Sequence, residues 1–124
     1  MTLVRLLNDG GARLLLGTDT TNPMVVPGFS VHEELENLVA AGLTPYRALK
    51  TGTSDAAEFL GQQREFGTVA VGLSADLVLV AGNPLQDVRN ARKRAGVMVR
   101  GRWFSEKELQ ERLDQIATRY RKSS

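Results

Sequence analysis

Few side chains in these 124 residues are placed to do chemistry. One carboxylate stands out by its surroundings. Arg13-Leu14-Leu15-Leu16-Gly17-Thr18-Asp19-Thr20 is a short apolar run closed by glycine, with an aspartate two residues later in a loop rich in Thr, Asn and Pro. A run this short, bounded by Gly10-Gly11 and Gly17, reads as a strand buried on both faces. Parallel α/β sheets and barrels set their reactive groups at the carboxyl ends of such strands. Asp19 therefore stands where a metal ligand or general base is expected; a simple turn cap is the alternative use of Asp.

His32 is the only histidine, just past that loop at the start of a helical pattern. First-turn packing is its ordinary role, and a ligand or substrate contact is the functional one. One histidine cannot make a metal site: hydrolytic zinc centres usually use three or more His or carboxylate ligands. The chain has no cysteine, which excludes disulfides and thiolate metal sites and fits a cytoplasmic enzyme. Arg89, Arg92, Lys93, Arg94, Arg100 and Arg102 concentrate positive charge in a stretch flanked by Trp103 and Phe104. Such a run could face nucleic acid. No nucleic-acid motif accompanies it, and sixteen basic against fourteen acidic residues leave only +2. A solvated surface, or one facing an acidic partner surface, is the better reading, and no nucleic-acid partner is expected.

The elements that position these residues follow from apolar spacing and punctuation. Thr2 to Asn8 has near-helical spacing and stops at Asp9-Gly10-Gly11, so it reads as the last turns of a helix leading into the Leu14–Leu16 strand. A domain that starts in mid-helix suggests a fragment. After the Pro23–Gly28 loop, Ser30 is set to cap a helix with Glu33 as its capping-box partner, and Gly42 stops it. Thr44-Pro45 starts the next helix, and a short one spans Ala56 to Leu60 before Gly61. From Phe66 the period changes. Residues 67–72 alternate between glycines and read as a strand, 75–82 as a strand buried on both faces, and 97–104 as a hairpin turning at Arg100-Gly101. Three to four strands without helices between them make a small sheet. Ser105 and Glu108 box the start of a last helix, whose Leu109, Leu113, Ile116 and Tyr120 form one apolar face that docks on something. The tail 121–124 reads as frayed.

Length allows one domain with a modest core. No apolar stretch approaches the roughly 18 residues that span a bilayer, and the N-terminus lacks a secretory signal pattern. No membrane partner is expected.

The order of these parts resembles the C-terminal portion of the amidohydrolase superfamily, in its imidazolonepropionase-like and prolidase-like branch. The matching residues are Gly17-Thr18-Asp19, His32 to Leu35, Ala41 to Pro45, Ala48-Leu49, Leu60-Gly61, Gly67 to Val69, Gly72, and Ala75-Asp76-Leu77-Val78. Asn83-Pro84-Leu85 and Val97 to Gly101 complete the set. Each is weak alone; the order and spacing make the combination specific, to about Trp103.

The resemblance implies an α/β fold: the last βα unit of a (β/α)8 barrel over residues 1–65, strands of a small β-sandwich over 66–104, and an amphipathic helix over 105–124. It implies a metal-dependent hydrolase of amide, cyclic-amide or dipeptide-like C–N bonds in small molecules, with one or two divalent metals, zinc foremost. Leu14–Leu16 would be the eighth barrel strand, and Asp19 its metal ligand and proton acceptor. His32 would contact substrate, and Asp76 would be structural. The family's His-x-His, its bridging lysine and its later histidines are not among these residues, so the chain alone is an incomplete fold expected to be inactive and to hold zinc weakly. A truncated or split module that binds a partner chain, or a second copy, through its uncovered apolar faces is the non-enzymatic alternative.

Overall fold

The computed structural model describes residues 2–20, 22–23 and 25–121. In chain order it contains α1 (Thr2–Asp9), α2 (Ser30–Ala40), α3 (Pro45–Thr51), α4 (Ser54–Phe59), β1 (Leu77–Val80), a 3-10 turn (Val88–Arg92), β2 (Arg94–Val99), β3 (Arg102–Ser105) and α5 (Glu106–Arg121).

Local chemistry accounts for the helix boundaries. Gly11, Gly42 and Gly61 each take a left-handed φ, of 79, 110 and 71°. At each stop the next residue's N–H reaches back five positions, as in Leu43 to the Leu38 carbonyl at 3.1 Å. This closes the helix with a Schellman turn. Thr44 caps α3 as expected, its hydroxyl accepting the Arg47 N–H at 3.2 Å. At α2 the expectation fails. The cap position belongs to Phe29, without a side-chain cap, and the Ser30 hydroxyl accepts the Val26 N–H at 2.9 Å instead. A serine can satisfy a loop donor or a helix donor, and here the loop folds back to claim it. The short helix starts at Ser54, two residues before the expected Ala56.

The core lies in the helical half. Leu35, Leu38, Leu43 and Ala48 pack with Val88 from the 3-10 turn, and Val4, Leu14, Leu16, Val39, Leu49 and Ala91 close around them. Small residues allow close packing here: Ala48 and Ala57 are fully buried.

The sheet is antiparallel in the order β1-β2-β3, with Val78 opposite Val97 and Val97 opposite Phe104. Arg100 and Gly101 both have positive φ, 49 and 78°, as a two-residue hairpin of the favoured twist requires. The sequence-based boundaries 75–82 and 97–104 correspond to shorter and longer observed strands respectively. β1 is not buried on both faces, since Val78 and Leu79 are exposed. Its uninterrupted valine and leucine run fits a two-layer environment, but three strands make one layer.

Two predicted strands are not formed. Residues 67–72 are bends and turns that leave Val69 and Val71 exposed. Residues 14–16 alternate in exposure without forming a strand, and among the described residues their one ladder-like bond is Leu16 N–H to the Thr51 carbonyl at 3.2 Å. A strand exists only through a neighbour's hydrogen bonds, and among the described residues neither segment has a paired neighbour. α5 starts as expected, with the Ser105 hydroxyl accepting the Glu108 N–H at 3.3 Å. Its first turns meet β2 and β3, while Leu113 and Ile116 remain exposed. Of the tail expected to fray, Arg121 is helical and 122–124 lie outside the described residues.

Candidate functional site

Asp19 ends an extended segment whose side chains alternate. Leu14 and Leu16 turn toward the core, and Leu15 between them is 38% exposed. Gly52 lets Leu16 in: a Cβ there would overlap the Leu16 side chain. The segment is thus pinned at Leu16, and the chain leaves the core through Gly17 and Thr18.

The turn that follows is built by short-range polar bonds. The Thr18 and Thr20 hydroxyls bond to each other, and the Asn22 N–H donates to the Asp19 carbonyl at 3.1 Å. Asp19 sits at φ 54°, a left-handed conformation that Asp and Asn tolerate better than other side chains. Its carboxylate is exposed and accepts one hydrogen bond, from the Asn22 side-chain amide to Oδ2. Among the described residues no backbone N–H bonds to it. Thr21 and Met24, in the same loop, lie outside the described residues.

His32 sits elsewhere. It lines an apolar groove of about 960 Å³ between the helical half and the sheet, with Leu16, Leu35, Leu49, Phe66 and Leu77 among the other wall residues. Asp19 is not part of that wall. Among the described residues the Nδ1 atom of His32 is buried without a hydrogen-bond partner. Burial first, then the Arg92 guanidinium, lower the imidazole below its ordinary pKa, against the pull of Glu36. His32 is therefore neutral at physiological pH.

The basic run is partly neutralised within the fold. Arg89 pairs with Asp87 and Arg92 with Glu36, both at 2.8 Å, and Arg102 lies over the Phe104 ring at 4.8 Å. Asp76 is structural, as expected: it accepts the Arg100 N–H at 2.7 Å and the Ser74 hydroxyl at 2.6 Å. Asn22 was not singled out from the sequence. Its signal was available as an Asp-x-x-Asn spacing at the mouth of the proline loop, which places two polar side chains across one turn.

Residues 1–104 match the model of the Amidohydrolase family. The chain belongs to the amidohydrolase family. Among solved structures it is similar to a Bifidobacterium longum protein provisionally named a prolidase, at 38% identity and a TM-score of 0.75, covering 82% of this chain and 25% of that one. Molinate hydrolase is similar at 28% identity and a TM-score of 0.68, with 82% and 25% covered. Phenylurea hydrolase B follows at 25% identity and a TM-score of 0.73, with 82% and 26% covered. No curated protein matches the chain. The chain spans about a quarter of the length of the solved structures it matches, and it corresponds to a C-terminal segment of an amidohydrolase-superfamily protein.

Amidohydrolases generally use divalent metals. Among the described residues no group of three or more His, Cys, Asp or Glu comes together around a point that could hold one. The donor set present fits one ligand of a shared centre, the exposed hard-oxygen donor of Asp19, and no more. None of the described helices is long and apolar enough to cross a membrane.

Proposed function

We propose that this segment completes the active site of a metal-dependent amidohydrolase that cleaves amide, cyclic-amide or dipeptide-like C–N bonds in small molecules. The observation that carries the reading is Asp19: an exposed carboxylate at the end of an extended, inward-anchored apolar segment, within a family match of residues 1–104. In the longer protein, residues 14–16 would take a place in the barrel as its last strand, and the loop 22–28 would shape the substrate mouth. Among the described residues the backbone of 14–16 makes one bond to a neighbour, Leu16 N–H to the Thr51 carbonyl, which supports that role. The similarity to the proteins named as prolidase, molinate hydrolase and phenylurea hydrolase supports a C–N bond as the target.

A divalent metal in such a centre, zinc in this reading, supplies acidification of water and polarisation of a carbonyl. Asp19 would hold it through a carboxylate oxygen and take up a proton as general base. His32 is the candidate substrate contact, its neutral imidazole offering a hydrogen bond from the groove wall. A packing role for His32 is favoured by its buried, unpartnered Nδ1 and by its place on a wall that Asp19 does not share. His32→Asn separates the two: a raised KM with unchanged thermal stability supports substrate contact, and the reverse supports packing.

The groove and the outer face of α5 are the surfaces that the remainder of the protein, a partner chain or a second copy would cover. The whole protein is read as cytoplasmic.

Zinc titration of the purified 124-residue chain tests the reading. Binding on the order of 10⁻³ M, as for sparse oxygen donors, and no turnover of a dipeptide substrate are expected. Tight zinc binding with turnover by this chain alone would overturn it.

A further inference from the structure

The turn after residue 18 does more than expose a carboxylate: it treats the two oxygens of Asp19 differently. The Asn22 amide donates to Oδ2, and among the described residues Oδ1 accepts nothing. Three features hold this asymmetry in place. The Asn22 N–H to the Asp19 carbonyl, at 3.1 Å, closes the turn. Pro23 follows Asn22, and a residue before proline is excluded from most helical conformations, which narrows the backbone that carries the amide. The Thr18–Thr20 hydroxyl pair links the residues on either side of Asp19.

We propose that Asn22 is a positioning residue for Asp19. Its amide fixes the carboxylate in one rotamer through Oδ2. A ligand or proton would then meet one defined oxygen rather than a rotating pair. The inference rests on the hydrolase reading for its consequence, but the rotamer claim stands on the turn alone. An orienting partner of this kind typically changes metal affinity or activity by about 10–100-fold when removed, because the ligand group must then be ordered at the moment of use.

Two measurements separate the claims. In the 124-residue chain, three-bond couplings across the Asp19 Cα–Cβ bond report its rotamer. Wild type and Asn22→Ser, which keeps a short donor, are expected to show one dominant rotamer, and Asn22→Ala an averaged set. Thermal midpoints should stay close, since Asn22 is exposed. Zinc or manganese affinity of a protein of the relatives' full length that carries these residues should fall by about 10–100-fold in Asn22→Ala and recover in Asn22→Ser. Unchanged couplings in Asn22→Ala would overturn the positioning role. Changed couplings with unchanged metal affinity would leave the turn geometry intact but remove its functional consequence. A failure of the hydrolase reading would appear separately, as wild-type catalytic rates for Asp19→Asn in a protein of the relatives' full length that carries these residues.

Discussion

Asp19 and Asp76 are both exposed aspartates beside an extended apolar segment, yet the fold uses them in opposite ways. Asp76 has both oxygens occupied: Oδ1 accepts the Arg100 N–H at 2.7 Å and Oδ2 the Ser74 hydroxyl at 2.6 Å. With the Gly101 N–H on the Ala75 carbonyl at 3.2 Å, these bonds tie the β2–β3 turn to the approach of β1. For Asp19 the described residues supply one such bond, from the Asn22 amide to Oδ2. A carboxylate committed on both sides to its own chain has a folding role. One held through a single oxygen at the end of an anchored segment is, on the proposed reading, the one that meets another ligand.

The sharpest way to break this comparison is Asp19→Asn. In a protein of the relatives' full length that carries these residues, turnover is expected to fall by about 10²–10⁴-fold, the usual worth of a general base. The thermal midpoint of the 124-residue chain should hold, because Asn accepts the same left-handed φ. A stability loss without an activity loss would make Asp19 another Asp76.

Asp55 supplies the buried end of the scale. It is 13% exposed and takes Arg47 at 2.8 Å and Lys50 at 3.1 Å. Asp55→Ala strands both cations and should cost about 1–3 kcal/mol in denaturant unfolding. A smaller, opposite effect is expected at the turn that Asp76 holds. Arg100 adopts φ 49°, so Arg100→Asn should stabilise by about 1 kcal/mol. The bond to Asp76 uses the backbone N–H of residue 100 and survives the change.

The pH profile of stability adds two smaller signatures of opposite chemistry. The Ser74 hydroxyl and the Arg100 N–H hold Asp76 below the ordinary carboxylate value of 3.8. Its contribution is therefore complete above 3.8 and is lost as pH falls through the lower folded value. Asp76→Asn should flatten that acid limb. His32 is also lowered, from 6.5, mainly by burial and then by Arg92. For a histidine the unfolded chain then binds more protons, so stability is full above 6.5 and declines below it. His32→Asn should remove the decline between that value and the carboxylate range, as read from thermal midpoints across pH.

Much of this molecule was legible residue by residue. Gly42 and Gly61 end helices and Thr44-Pro45 starts one because φ preference and capping chemistry act within a few residues. The Arg100-Gly101 turn was found for the same reason, and so was the place of Asp19 at the end of an apolar run. What the sequence could not decide was whether Leu14–Leu16 and 67–72 pair as strands, since the hydrogen bonds that define a strand come from a distant neighbour. Nor could it show that the Ser30 hydroxyl turns to the loop, that His32 faces a groove Asp19 does not share, or that Asn22 takes one oxygen of Asp19. Each of those depends on which groups the folded chain brings within a few ångströms. Local composition sets what each residue is able to do; only its neighbours in space determine which of those options is used.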